Sequence, residues 1–325
     1  MEYRYLGKTG VKVSSLCMGT MSFGGIADES ESKKMFHRCL DLGINFFDSA
    51  CNYNDGKSEE ILGKLMKGKR DDLVITSKVY YPTGDNVNDK GLSRRHIMME
   101  VEDSLRRLDT DRIDFYFVHK FDKNTSIEDT LRALDDLQRQ GKIVYTAVSN
   151  WAAWQIAKAL GISAKEGLAK FECIQPMYNL VKRQVEVEIL PLARSEKLGV
   201  VSYSPLGGGL LTGKYLSEDT SGRIVEDSRY AARYGEKKYF EVTRDFVTYA
   251  KEKGVHPVTL AVSWVMNHPD ITAPLIGARN MEQLEPSLDA VNLEMTAEWR
   301  QEITELSSPV APAPATDRSE GSKFD

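Results

Sequence analysis

Cysteine is scarce: Cys17, Cys39, Cys51 and Cys173 are the only four in 325 residues, and no two form a CxxC pair. That spacing argues against a disulfide framework or a zinc ribbon and makes reduced thiols the expectation. No apolar run approaches the roughly 18 residues of a membrane span. The opening MEYRYLGKTGVKVSSL has neither the charged nor the apolar region of a secretory leader, which points to a cytoplasmic chain without membrane contact. The sequon Asn124-Thr125-Ser126 is then a chance match. Neither sign of charge dominates, because 43 Lys and Arg are interspersed with 48 Asp and Glu for a net charge of −5. That balance argues against a nucleic-acid partner. His37, His96, His119, His256 and His268 have no ligand spacing and no HExxH occurs, so no metal is expected. No Pro/Gly/Ser-rich linker interrupts the chain before residue 308, so 1–308 reads as one domain and 309–325 as a flexible tail.

What the chain does contain is alternation. YRYLGKTGVKVSSLCMG reads as a β-hairpin turning at Lys8-Thr9-Gly10. Short apolar runs follow at 44–48, 73–78, 113–120, 144–150, 171–175, 199–205 and 271–277, with a weaker one, AVNLEM, near 290. Amphipathic stretches such as ESKKMFHRCLDLG and TSIEDTLRALDDLQRQG separate them. Strands apolar on both faces and joined by helices imply a parallel sheet under a helical layer. Seven or eight such units predict an α/β fold, a (β/α)8 TIM barrel with an N-terminal β-hairpin. A doubly wound sheet is disfavoured because no GxGxxG follows the first strand.

Polar residues end these runs in order: Asp48, Lys78, His119, Ser149 with Asn150, Gln175, then Tyr203 with Ser204. In a parallel barrel all strand C-termini open on one face, where catalytic groups gather. Each residue alone has a plain structural explanation, a cap for Asp48, a solvated charge for Lys78 or a core imidazole for His119. Their coincidence, with Tyr53 on the first loop, points to chemistry. A phenol titrates near pH 10, too high for neutral acid–base work, and a neighbouring ammonium is expected to lower that value. Lys78 held by Asp48 would supply the ammonium, and His119 could bond a carbonyl oxygen. The set suggests hydride delivery to a carbonyl, with Tyr53 protonating the alkoxide.

At these residues the sequence resembles the aldo-keto reductase superfamily, through GINFFDSACNYNDGKSEEILGK, DFYFVHKFD, VSNW, IQPMYNL, YSPLGGGLLTGKY and PLIGARNMEQLE, in that order. The resemblance implies the tetrad Tyr53, Lys78, Asp48 and His119, a small-molecule carbonyl or alcohol substrate, and NADPH (NADP+) held without a Rossmann domain. It also implies cofactor contacts from Gly19, Thr20 and Met21 on the ribose side and from Ser149, Asn150 and Gln175 on the nicotinamide carboxamide. Tyr203 would stack on the ring. Ser204, Pro205, Leu206, Gly207, Lys214 and Arg223 would hold the pyrophosphate, and Gly277, Arg279, Gln283 and Ser287 the adenosine end. Trp151 would border the substrate. Two positions depart from the family pattern: Lys120-Phe121-Asp122 follows the tetrad histidine where many members carry Trp or Pro, and Ser287 stands where Asn is common.

Two rivals remain to be weighed. GGLLTGKY at 208–215 nearly matches a phosphate-loop pattern, but Tyr215 stands where Ser or Thr would bind Mg²⁺. GKS at 56–58 fails too, since the first glycine of that pattern would fall at Cys51, and Gly56 is expected in a surface turn. The other rival is an NADPH-binding barrel acting mainly as a regulatory or partner-binding subunit, which would not need the complete tetrad. Tyr230, Tyr234, Tyr239 and Phe240 are expected partly as core and partly as cover over a ligand. Trp154 is read as packing or as bordering the substrate pocket.

Overall fold

The computed structural model describes residues 1–216 and 222–310, apart from the Arg223 side chain. The expected tail beyond 310 and the pyrophosphate role of Arg223 therefore lie outside what it describes. β1 (Tyr3–Tyr5) and β2 (Lys12–Ser14) pair antiparallel, Tyr3 opposite Ser14. Eight parallel strands then close a barrel: β3 (Cys17–Gly19), β4 (Phe46–Asp48), β5 (Val74–Val79), β6 (Ile113–Val118), β7 (Ile143–Ser149), β8 (Phe171–Gln175), β9 (Gly199–Ser202) and β10 (Ala273–Ile276). β10 pairs with both β9 and β3, leaving no edge.

The expectation of a (β/α)8 barrel with an N-terminal hairpin is met, with two corrections inside it. The first barrel strand is Cys17–Gly19, whose three residues are too few to separate from the preceding hairpin by pattern. AVNLEM is no strand: Asp289–Asn292 is a 3-10 turn continuing helix Met281–Leu288. An apolar run that short cannot declare its period.

Side-chain alternation builds two cores from the same strands. Phe46, Val74, Phe115, Phe117, Ala147, Cys173, Val201 and Ala273 fill the barrel, while Phe47, Ile75, Tyr116, Val118, Val148, Ile174 and Val200 meet the helices. Continued along the strands in steps of two, the inward register takes in Asp48, Lys78, His119, Ser149, Gln175 and Tyr203. Three of the helices between the strands begin on side-chain caps, as Asp28, Ser93 and Ser126 accept from the amides of Glu31, His96 and Asp129. No helix among the described residues is long and apolar enough to cross a membrane.

The hairpin closes the lower end of the barrel. Leu6 and Val13 join the interior cluster, and Arg4 Nη1 donates to the carbonyls of Met266 at 2.6 Å and Ile271 at 3.3 Å. Gly7 sits at φ +62°, and a Cβ there would lie 2.7 Å from the Gly199 amide nitrogen. Backbone cannot withdraw cheaply from such a clash. Gly7→Ala should therefore destabilise the fold by about 1–3 kcal/mol, read as a lower urea midpoint, while leaving the strand ends opposite untouched.

Candidate active site

Lys78 is the centre of the site. Its side chain is 0% exposed, and its ammonium has all three donors engaged: Asp48 Oδ2 at 2.6 Å, the Ser49 carbonyl at 2.6 Å and the Tyr53 hydroxyl at 3.3 Å. Asp48 Oδ1 accepts from Thr76 Oγ1 at 2.6 Å and Gln175 Nε2 at 2.8 Å. A buried ion pair with both carboxylate oxygens and all three ammonium protons engaged is the arrangement that survives desolvation. Burial alone would lower the lysine, but Asp48 and then Tyr53 outweigh it and hold the ammonium above its ordinary value.

Tyr53 corrects one expectation. Lys78 does favour the phenolate, yet burial is the larger influence and Asp48 adds to it, so the phenol lies above its ordinary value instead of below it. His119 stands edge-on to the Tyr53 ring, centroids 6.1 Å apart, and to Tyr81 at 4.9 Å. Its Nδ1 is buried with no partner among the described residues. Burial first and the Lys78 ammonium second hold this imidazole well below its usual range. Tyr81 was missed by sequence reasoning; the available signal was an aromatic pair, Tyr80-Tyr81, directly after the strand that carries Lys78.

The polar residues beyond the tetrad are brought together, but bonded to each other. Ser149 Oγ donates to the Gln175 carbonyl at 2.9 Å. Asn150, at φ +57°, donates from Nδ2 to Ser149 Oγ at 2.8 Å and to the His119 carbonyl at 3.0 Å, and accepts from the Tyr203 hydroxyl at 2.7 Å. Asp48 can only accept, so the Gln175 amide must turn its nitrogen toward it. Thr20 is wholly buried, its Oγ1 2.7 Å from Ser58 Oγ, whereas Gly19 is half-buried and Met21 exposed.

Above β9, the loop after Tyr203 runs through five left-handed residues, Ser204 (φ +60°), Gly207 (+58°), Gly208 (+67°), Gly209 (+93°) and Gly213 (+83°). Leu206 in bridge geometry followed by left-handed Gly207 turns successive amides to one side, the kind of concavity that takes an anion. Pro205 is buried and Lys214 exposed at its ends. Beyond β10, Gly277 is exposed, and the Arg279 guanidinium makes no ion pair or hydrogen bond with the described residues. Gln283, one turn into the following helix, accepts from the Arg279 amide at 3.3 Å. A loop of turned amides and a free guanidinium fit a phosphorylated dinucleotide. Ser287 fits less directly, since it is only 2% exposed.

Three further expectations change. Trp151 is 4% exposed, wedged edge-on between Phe121 at 5.0 Å and Phe171 at 5.5 Å, so its ring is in the core instead of bordering the cleft. Trp154, read as packing or as bordering the substrate pocket, is 62% exposed and does not pack into the core. Gly56 is buried as the left-handed start of helix Lys57–Leu65, not in a surface turn. Among the aromatics after β9, Tyr234 and Tyr239 are core, and Tyr230 and Phe240 are half-buried.

Residues 15–308 match the aldo/keto reductase family. The chain belongs to that family. It is 38% identical over 331 residues, 98% of this chain and 99% of the relative, to the protein described as uncharacterized oxidoreductase YrpG of Bacillus subtilis. It is 37% identical over 306 residues, 90% of this chain and 92% of the relative, to a probable voltage-gated potassium channel subunit beta of Arabidopsis thaliana. The counterpart from Oryza sativa is 36% identical over the same shares. The chain is an oxidoreductase enzyme, and the barrel mouth just described is its candidate site.

The depressed imidazole gives a pH prediction. The fold keeps His119 neutral where the unfolded chain takes up a proton, so stability falls as pH drops through the unfolded value of about 6.5. Urea titrations at stepped pH should show the wild type losing more stability on acidification than His119→Gln; parallel curves would count against this origin.

Proposed function

We propose that this oxidoreductase reduces an aldehyde, ketone or sugar-like carbonyl to the alcohol, or runs the reverse, with NADPH as its cofactor and Tyr53 as its acid–base group. The reading rests on one observation, a fully buried ammonium shared between a carboxylate and a phenol, with a neutral imidazole beside the phenol. When bound, the nicotinamide supplies the hydride. Tyr53 gives its proton to the substrate oxygen as that oxygen gains charge, and Lys78 stabilises the phenolate left behind. Asp48 keeps Lys78 charged. His119, uncharged near neutrality, bonds and orients the substrate oxygen. Because burial raises the phenol, Tyr53 remains protonated until an oxygen basic enough to take the proton arrives.

Ser149, Asn150 and Gln175 are proposed for the carboxamide of the nicotinamide, exchanging some of their mutual bonds to hold it, with Tyr203 against the ring. Gly19, Thr20 and Met21 serve the ribose side. Ser204, Pro205, Leu206, Gly207, Lys214 and Arg223 serve the pyrophosphate, and Gly277, Arg279, Gln283 and Ser287 the adenosine end. Arg279 gives the NADPH preference its basis, since a guanidinium forks onto a 2′-phosphate and has little to grip on a hydroxyl. The unit concerned is residues 1–308, in the cytoplasm. A chiefly partner-binding role is the weaker reading, because it leaves the complete acid–base set without a use.

Tyr53→Phe should lower carbonyl reduction by about 10²–10⁴-fold while cofactor affinity persists; turnover at the wild-type rate would sink the mechanism. Arg279→Ala should weaken NADPH binding far more than NADH binding, measured by protein fluorescence, and equal loss for both would remove the 2′-phosphate assignment.

A further inference from the structure

The strand that presents Lys78 inward presents Ser77 outward, and Ser77 Oγ donates a hydrogen bond to Glu59 Oε1. Glu59 is wholly buried, and its Oε2 accepts from Arg107 Nε at 2.7 Å. Arg107 Nη2 donates to Glu100 Oε1 at 2.5 Å, and Glu100 Oε2 accepts from Thr83 Oγ1 at 2.6 Å. Two buried carboxylates and one guanidinium thus lie directly behind the site, none of them used by the mechanism above. Burying them is costly, and such a network is retained where it fixes geometry.

The geometry it fixes is the turn after Tyr53. Asn54, Asp55 and Gly56 all have positive φ, at 50°, 56° and 86°, and two of the three are not glycine. Such a run is strained and persists only where surroundings impose it. From one side Asn54 Nδ2 bonds the carbonyls of Met21 at 2.9 Å and Phe23 at 2.7 Å. From the other the Arg107 stem supports it: a Cβ on Gly56 would lie 2.7 Å from Arg107 Cδ. The phenol itself faces Lys78, Asp48, His119 and Tyr230.

We propose that Arg107, clamped by Glu59 and Glu100, is a positioning residue for the acid–base step, holding the strained turn so that the Tyr53 hydroxyl stays on Lys78. The proposal rests on the role given to Tyr53 above. Arg107→Met should lower kcat on the order of 10- to 100-fold, as misplacement of a reacting group by an ångström does, with cofactor affinity retained. Arg107→Lys should recover part of the loss. A readout independent of turnover is the ultraviolet titration of Tyr53, taken as the difference between each protein and the same protein carrying Tyr53→Phe. Since burial is the main influence raising this phenol, a loosened turn should move its titration down toward the ordinary tyrosine range. Should Arg107→Met fail to fold, Glu59→Gln and Gly56→Ala carry the test, the latter keeping every charge. A Tyr53 titration unchanged in the folded variants, with only thermal stability reduced, overturns the proposal. If the wild type turns over no carbonyl or alcohol, the reductase reading falls, and the titration still decides whether Arg107 positions the phenol.

Discussion

The upper half of the barrel is organised by one interaction, the Lys78 ammonium against the Asp48 carboxylate at 2.6 Å with neither group exposed. Removing either partner from such a pair costs about 3–5 kcal/mol, because the other is left charged and dry. Everything near it answers that cost. Thr76 and Gln175 fill the second carboxylate oxygen, and the Ser49 carbonyl and Tyr53 hydroxyl take the remaining ammonium protons. These partners come from β4, β5, β8 and the loop above β4, so the pair also fixes the register of strands that are distant in sequence. A slip of one residue in β5 would turn Lys78 to the helices and Ser77 to the barrel.

Most of this was legible because the barrel has a simple periodicity. Runs such as LVITSK and FECIQ are apolar on both faces and end in a polar residue, which announces a parallel strand and its mouth together. The inward position of Asp48, Lys78 and Gln175 then follows from counting. What could not be read was whatever depends on a third dimension. Cys17–Gly19 is a strand only because β10 and β4 flank it. Trp151 is buried and Trp154 exposed because residues three apart across a strand-to-helix turn do not keep a fixed face. Gly56 looks like a surface residue until Arg107, 51 positions later, is folded beneath it.

The phenol illustrates a competition that residue types alone cannot settle. A lysine next to a tyrosine suggests a lowered titration, and the electrostatic sense is correct. Burial acts on the same group in the opposite direction and is the greater. Its sign therefore depends on how deep the loop carries the ring, which is a matter of backbone strain and of what braces it.

The hairpin beneath the barrel has one more consequence. With Leu6 and Val13 at the lower end, Gly7 seated against Gly199, and Phe46, Phe115 and Phe117 filling the interior, the barrel is packed solid below the site. Lys78 has no contact with solvent, and among the described residues its partners Asp48 and Ser49 are buried while Tyr53 is half-buried. Proton exchange between the ammonium and bulk water then runs by way of the phenol. The sealed floor makes the tyrosine a gatekeeper for the charge on which the site depends.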